Sequence, residues 1–169
     1  MRAPRWSSSW SRARRATAPA TWSGSRRPEA MPIESTNPQG AHEALSAGNA
    51  GALVDVRTVE EFDRGHPEGA VNVPWALAGD FGMQPNPGFV SEMEQRFAKD
   101  GRLYLSCQAG MRSMKACQDL QAAGFADLVN VDGGFGGRRD PGGSVAVAGW
   151  AESGLPVANE PSTYGQGAG

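Results

Sequence analysis

From about Asn37 onward the chain alternates short apolar runs with segments of helical periodicity. GALVDVR is a brief apolar run after a glycine, the pattern of a buried strand over Ala52 to Val56. AVNVP, ended by Pro74, RLYLSC and DLVNV read as further strands. ESTNPQGAHEALSAG reads as a turn leading into a short helix with Ala44 and Leu45 facing inward. FVSEMEQRFAKD spaces Phe89, Val90, Met93 and Phe97 as a helix does, and RSMKACQDLQAAG forms another helix directly after RLYLSC. In TVEEFDRGH, Thr58 caps a short helix, Glu61 completes a capping box, and Gly65 stops it. ALAGDFGMQPNPG reads as a loop, and GWAESGLPV as a short closing helix around Trp150 and Ala151. Strands alternating with helices imply an α/β fold with parallel strands buried on both faces. A site is then expected at the carboxyl ends of the strands.

The 169 residues suffice for one ordinary domain with a single core. Two cysteines make no disulfide scaffold, so reduced thiols and a cytoplasmic setting are expected. No apolar run approaches the length that crosses a bilayer, and no membrane partner is expected. Charge divides the chain at Met31. Before it stand Arg2, Arg5, Arg12, Arg14, Arg15, Arg26 and Arg27 against the single acid Glu29, interleaved with Ser, Ala, Pro, Trp6, Trp10 and Trp22. Residues 1–30 are therefore expected to be a disordered basic leader, either an upstream extension or a targeting segment of organellar type. The remainder is acidic, which argues against a nucleic-acid partner. The expected organisation is a leader over 1–30, a domain over 31–158 and a flexible tail over 159–169.

In LYLSCQAGMRSMKACQDL, Cys107 stands where an apolar run stops and a helix begins. The amides of Gln108 to Ser113 can turn toward a common centre, with Gly110 permitting backbone angles that other residues resist. The helix starting near Arg112 directs its positive end to the same spot. Such a cradle suits a thiolate or something negative attached to it. Loop length separates two chemistries that use one. A cysteine phosphatase needs a wide ring of amides and an arginine around a tetrahedral phosphoryl group. Here Arg112 follows after only Gln108, Ala109, Gly110 and Met111, one residue fewer than the phosphatase pattern. The tighter ring favours a single terminal sulfur.

LVDVRTVEEFDRGHPEGAVNVP, LYLSCQAGMRS, GFADLVNVDGGFGG and GWAESGLPV, taken in this order from about Gly40 to Val157, resemble a rhodanese-homology domain of the single-domain sulfurtransferase type. The resemblance implies a rhodanese-like α/β fold with a central five-stranded parallel sheet flanked by helices on both faces. It also implies a cysteine that carries sulfane sulfur from a donor, thiosulfate or a persulfide, to a thiophilic acceptor. Carried over, Cys107 matches the nucleophile. Gln108, Ala109, Gly110, Met111, Arg112 and Ser113 match the loop around it, with Arg112 bracing that loop, and Asp55 and Arg57 match a supporting pair. Asp55 is expected to hold Arg112 or loop amides. Arg57 is expected either to bind an anionic donor or to pair with Glu60 or Glu61. No metal or organic cofactor is implied. The partners are a small sulfur donor, a thiol or cyanide acceptor, and as an alternative a sulfur-accepting protein. A relay module serving a partner, and a cysteine phosphatase or arsenate reductase on the same scaffold, stand as the other readings. Gln108, Ala109 and Met111 put no cation inside the loop ahead of Arg112, which predicts a poor fit to thiosulfate. Arg138 and Arg139 lie in a stretch read as a solvated surface loop, His66 as a residue fixing a turn, His42 as exposed and without a partner, and Cys117 as a small buried apolar residue.

Overall fold

A computed structural model describes residues 31–165. The chain runs β1 (Glu34–Thr36), α1 (Pro38–Ser46), β2 (Ala52–Asp55), α2 (Val59–Asp63), β3 (His66–Pro67), β4 (Val71–Asn72), β5 (Ala76–Gly79) and β6 (Gly82–Pro85). It continues through α3 (Phe89–Arg96), β7 (Arg102–Ser106), α4 (Met111–Ala122), β8 (Asp127–Val131), β9 (Arg138–Arg139), β10 (Val145–Val147) and β11 (Val157–Ala158). Five strands form the central sheet in the order β1-β8-β7-β2-β4, every neighbouring pair parallel.

The period-2 alternation of the strands sorts their side chains onto two buried faces. Val54, Leu103, Leu105 and Leu128 point to one side, where they pack with Phe89 and Met93 of α3 and Ala116, Cys117 and Leu120 of α4. Leu53, Tyr104, Val129 and Val131 point to the other, against Ala41 of α1 and Trp150. The parallel strands are thus apolar on both sides, which is why their sequences read as continuous runs. Local chemistry agrees at the helix starts. Asn37 accepts from the Gly40 amide at 2.7 Å, with Pro38 at the first helical position. Thr58 and Glu61 form the reciprocal capping box ahead of α2.

Several segments differ from the sequence expectation. Glu34–Thr36 is an edge strand rather than a turn; its side chains are mostly exposed, so main-chain pairing with β8 holds it and no apolar period announces it. ALAGDFGMQPNPG contains the β5–β6 hairpin, whose outer residues are exposed and carry no strand signal. Trp150 to Gly154 form turns, not a helix. The Trp150 and Ala151 amides donate instead to the carbonyls of Gly134 and Phe135, at 2.8 and 3.2 Å. The stretch after Gly137 folds into the exposed β9–β10 pair, with Arg138 on Asp132 and Arg139 on Glu152. At the expected tail, the Ser162 amide donates to Asp63 Oδ1 at 2.7 Å, and Asn86 Nδ2 donates to the Tyr164 hydroxyl at 2.7 Å. The leader over 1–30 and residues 166–169 lie outside the described residues.

Candidate active site

Strand β7 ends at Ser106, level with Asp55 at the end of β2, and Cys107 follows at the carboxyl edge of the sheet. From there the chain makes a tight loop into α4. Gly110 precedes that helix with φ +106°, and a Cβ there would sit 3.1 Å from Asp132 Oδ1 and the Gly133 amide. Glycine therefore answers both a backbone angle and a close approach. Cys107 is 1% exposed. The Gly110 amide donates to its Sγ at 3.1 Å. Ser113, buried in the first turn of α4, has its Oγ 3.4 Å from that sulfur and 2.6 Å from Asn130 Oδ1. The hydroxyl has one hydrogen, so it serves one of these acceptors at a time.

A second loop, after β8, orients the first. The amides of Gly133, Phe135 and Gly136 donate to the carbonyls of Ala109, Cys107 and Gln108 at 3.1, 2.7 and 2.9 Å. With those carbonyls drawn outward, the Gly110 amide is left facing the sulfur. The approach is close enough to demand glycine. A Cβ on Gly134, whose φ is +51°, would lie 2.1 Å from the Cys107 carbonyl oxygen. The run DGGFGG is visible in the sequence, but its task, holding the neighbouring loop by three amides, needs the register of β7 beside β8 to be seen.

The supporting residues pair differently from the expectation. Asp55 holds Arg57, not Arg112 or the loop amides: Arg57 Nη2 lies 2.7 Å from Oδ2 and its Nε 3.0 Å from Oδ1. Both residues are buried. Arg57 also donates to the Gly65 carbonyl at 2.7 Å and to Gln108 Oε1 at 3.3 Å, and its guanidinium lies 4.4 Å from the Phe135 ring centre. It pairs with neither Glu60 nor Glu61, because Asp55 is two residues away on the same strand end and takes its fork.

Arg112 reaches Glu61 instead. Its Nη1 and Nη2 lie 2.8 and 2.9 Å from the two carboxylate oxygens, a bidentate pair between α4 and α2. Met83 of β6 places its Sδ 3.5 Å from the same Nη1. Burial alone pushes the Glu61 carboxyl up. The Arg112 hydrogen bonds, the Thr58 amide and the charges of Arg112 and Arg57 outweigh it and hold the group at about 2. The capping-box spacing marks Glu61 in the sequence. That its oxygens also take Arg112 depends on packing between segments 51 residues apart.

Cys117 is buried in the core, and burial, with a smaller contribution from Cys107, pushes its thiol up to about 12. His66 donates from Nδ1 to the Phe62 carbonyl at 2.9 Å and stacks on the Phe62 ring, so it fixes the turn after α2. His42 is not alone: it meets Trp150 edge-on, with centroids 5.5 Å apart. Among the described residues, no group of three or more His, Cys, Asp or Glu side chains could hold a metal ion, and no helix is long and apolar enough to cross a membrane.

Residues 37–137 match the family model of the rhodanese-like domain. Thiosulfate sulfurtransferase 16, chloroplastic, of Arabidopsis thaliana is 39% identical over 117 residues, covering 69% of this chain and 86% of that protein. Rhodanese-like domain-containing protein 15, chloroplastic, of the same plant is 35% identical over 141 residues, covering 83% of this chain and 70% of the relative. The crystal structure of Rv0390 from M. tuberculosis superposes with a TM-score of 0.64 at 30% identity, over 77% of this chain and all of that one.

Proposed function

Since the chain belongs to the rhodanese-like domain family, we propose that it moves sulfane sulfur from a small donor to a thiophilic acceptor through a persulfide on Cys107. One observation carries the reading: the Cys107 sulfur is recessed in a four-residue loop with the Gly110 amide directed at it, and three loop carbonyls are tied away by the next loop.

The Cys107 thiolate attacks the outer sulfur of the donor, forming one S–S bond as the bond to the leaving group breaks and takes its electron pair there. A thiol or cyanide acceptor then attacks the terminal sulfur and returns Cys107 as thiolate, a double displacement with ping-pong kinetics. The Gly110 amide, and the Ser113 hydroxyl when it turns from Asn130, stabilise negative charge on sulfur without reorganising the loop. Arg112 braces the start of α4 through Glu61. Asp55 and Arg57 act one layer further out, through Gln108. The acceptor in life is a thiol, free or on a partner protein. The domain is taken to run from residue 31 at least to Tyr164, since Ser162 bonds to Asp63 and Tyr164 to Asn86. The two plant relatives are chloroplastic by name, so an organellar setting stands beside the cytoplasmic one.

Mass spectrometry of the intact protein after brief exposure to a sulfane donor tests the reading. One added sulfur on Cys107, released by cyanide as thiocyanate and absent from Cys107→Ser, is expected. Ready hydrolysis of aryl phosphates through Cys107 with no sulfur taken from any donor would replace it with the phosphatase alternative.

A further inference from the structure

The charges around the mouth of the loop discriminate among sulfur donors. None of Gln108, Ala109, Gly110 or Met111 is basic, and the two guanidiniums beside the loop are both forked onto carboxylates. Arg57 is buried, with its remaining donors turned to Gly65 and Gln108 and its face on Phe135. Arg112 is neutralised by Glu61, and the nearby Arg138 is engaged by both oxygens of Asp132. Lys115, a turn further along α4, stands over the Trp75 ring. A dianion entering this mouth gives up water for hydrogen-bond donors whose charge is already cancelled.

Apolar surface stands where such cations would be useful. Met111, the first residue of α4 and the last before Arg112, is 70% exposed. Met83, in contact with Arg112, is 55% exposed. These unbranched thioethers can mould to an apolar substituent, and covering them removes apolar area from water.

We infer that the donor suited to this site is an organic sulfane-sulfur compound bearing a single negative charge and an apolar group beside the reacting sulfur, an alkyl persulfide or a thiosulfonate, rather than the inorganic thiosulfate dianion. The inference rests on the sulfurtransferase reading. For a thiosulfonate, the Cys107 thiolate bonds to the terminal sulfur, the S–S bond to the sulfonyl sulfur breaks, and the sulfinate departs with the electron pair. For a persulfide the leaving group is the alkyl thiolate. Atoms and charge balance in both, and no oxidant or reductant is consumed.

The full-length protein is loaded with thiosulfate, methanethiosulfonate or benzenethiosulfonate. The initial rate of sulfur uptake on Cys107, read by mass spectrometry, is divided by the rate of the same donor with a small free thiol. This quotient removes intrinsic donor reactivity. It is expected to rise at least tenfold from thiosulfate to benzenethiosulfonate, with methanethiosulfonate between them. Met111→Lys is expected to raise the thiosulfate quotient about tenfold and to lower the benzenethiosulfonate quotient. A thiosulfate quotient equal to or above that of benzenethiosulfonate in the parent protein overturns the inference while leaving the sulfurtransferase reading in place. So does a folded Met111→Lys variant with unaltered donor preference. Loading by none of the three overturns both.

Discussion

Replacing Glu61 with glutamine removes one charge from the pair that ties α2 to α4 while keeping the side chain's shape. The carboxyl stands at about 2 against an ordinary value of 4.5. Converted directly, that fall corresponds to about 3 kcal/mol of folding stability at neutral pH. The two side chains remain 17% and 26% exposed, so solvent screens the pair and roughly half, about 1.5 kcal/mol, is expected to be measured. The carboxyl is lower in the folded than in the unfolded chain. Its contribution is therefore complete above the unfolded value near 4.5 and lost as pH falls through about 2. Urea unfolding of the parent and Glu61→Gln should differ by about 1.5 kcal/mol at pH 7, a midpoint shift of roughly 1 M or a little less. The difference should shrink to about half that by pH 3. An equal gap at both pH values, or none at pH 7, would refute the reasoning, because the effect would then be packing rather than charge.

Gly134→Ala should cost roughly 2–4 kcal/mol by denaturant unfolding, since the new methyl meets the Cys107 carbonyl at a backbone angle alanine resists. Sulfur uptake per folded molecule should fall as well; a variant with unchanged stability and uptake would show that the two loops are not held in the contact described. Cys117→Ser should lower stability by about 1–3 kcal/mol, from a hydroxyl placed in an apolar core, yet leave turnover of the folded enzyme near the parent's. Loss of turnover with the fold intact would assign Cys117 a chemical part.

What the sequence discloses follows the range of the forces involved. Ala52–Asp55 and Asp127–Val131 are legible because parallel strands buried on both faces are mostly apolar, with polar Asp55 and Asn130 near their carboxyl ends, and Thr58 with Glu61 because a capping box is complete within four residues. Cys107 and the loop to Ser113 are legible for the same reason: strand end, glycine and helix start are consecutive. The partner of Arg112 is not. Choosing Glu61 over Asp55 is a matter of how α2 lies beside α4, and no local pattern records that. The β5–β6 hairpin and the β1 edge escape a hydrophobicity reading because main-chain hydrogen bonds define them and their side chains largely face water.

The amides of Gly133, Phe135 and Gly136 also set a schedule for the chain as it is made. Cys107 is synthesised well before them, and until β8 has docked beside β7 the carbonyls of Cys107, Gln108 and Ala109 have no such donors to turn them outward. During that interval the residue is an ordinary cysteine of a growing polypeptide. Its recessed position is conferred only when β8 stands beside β7, so the burial of the sulfur waits on a loop made later in the chain.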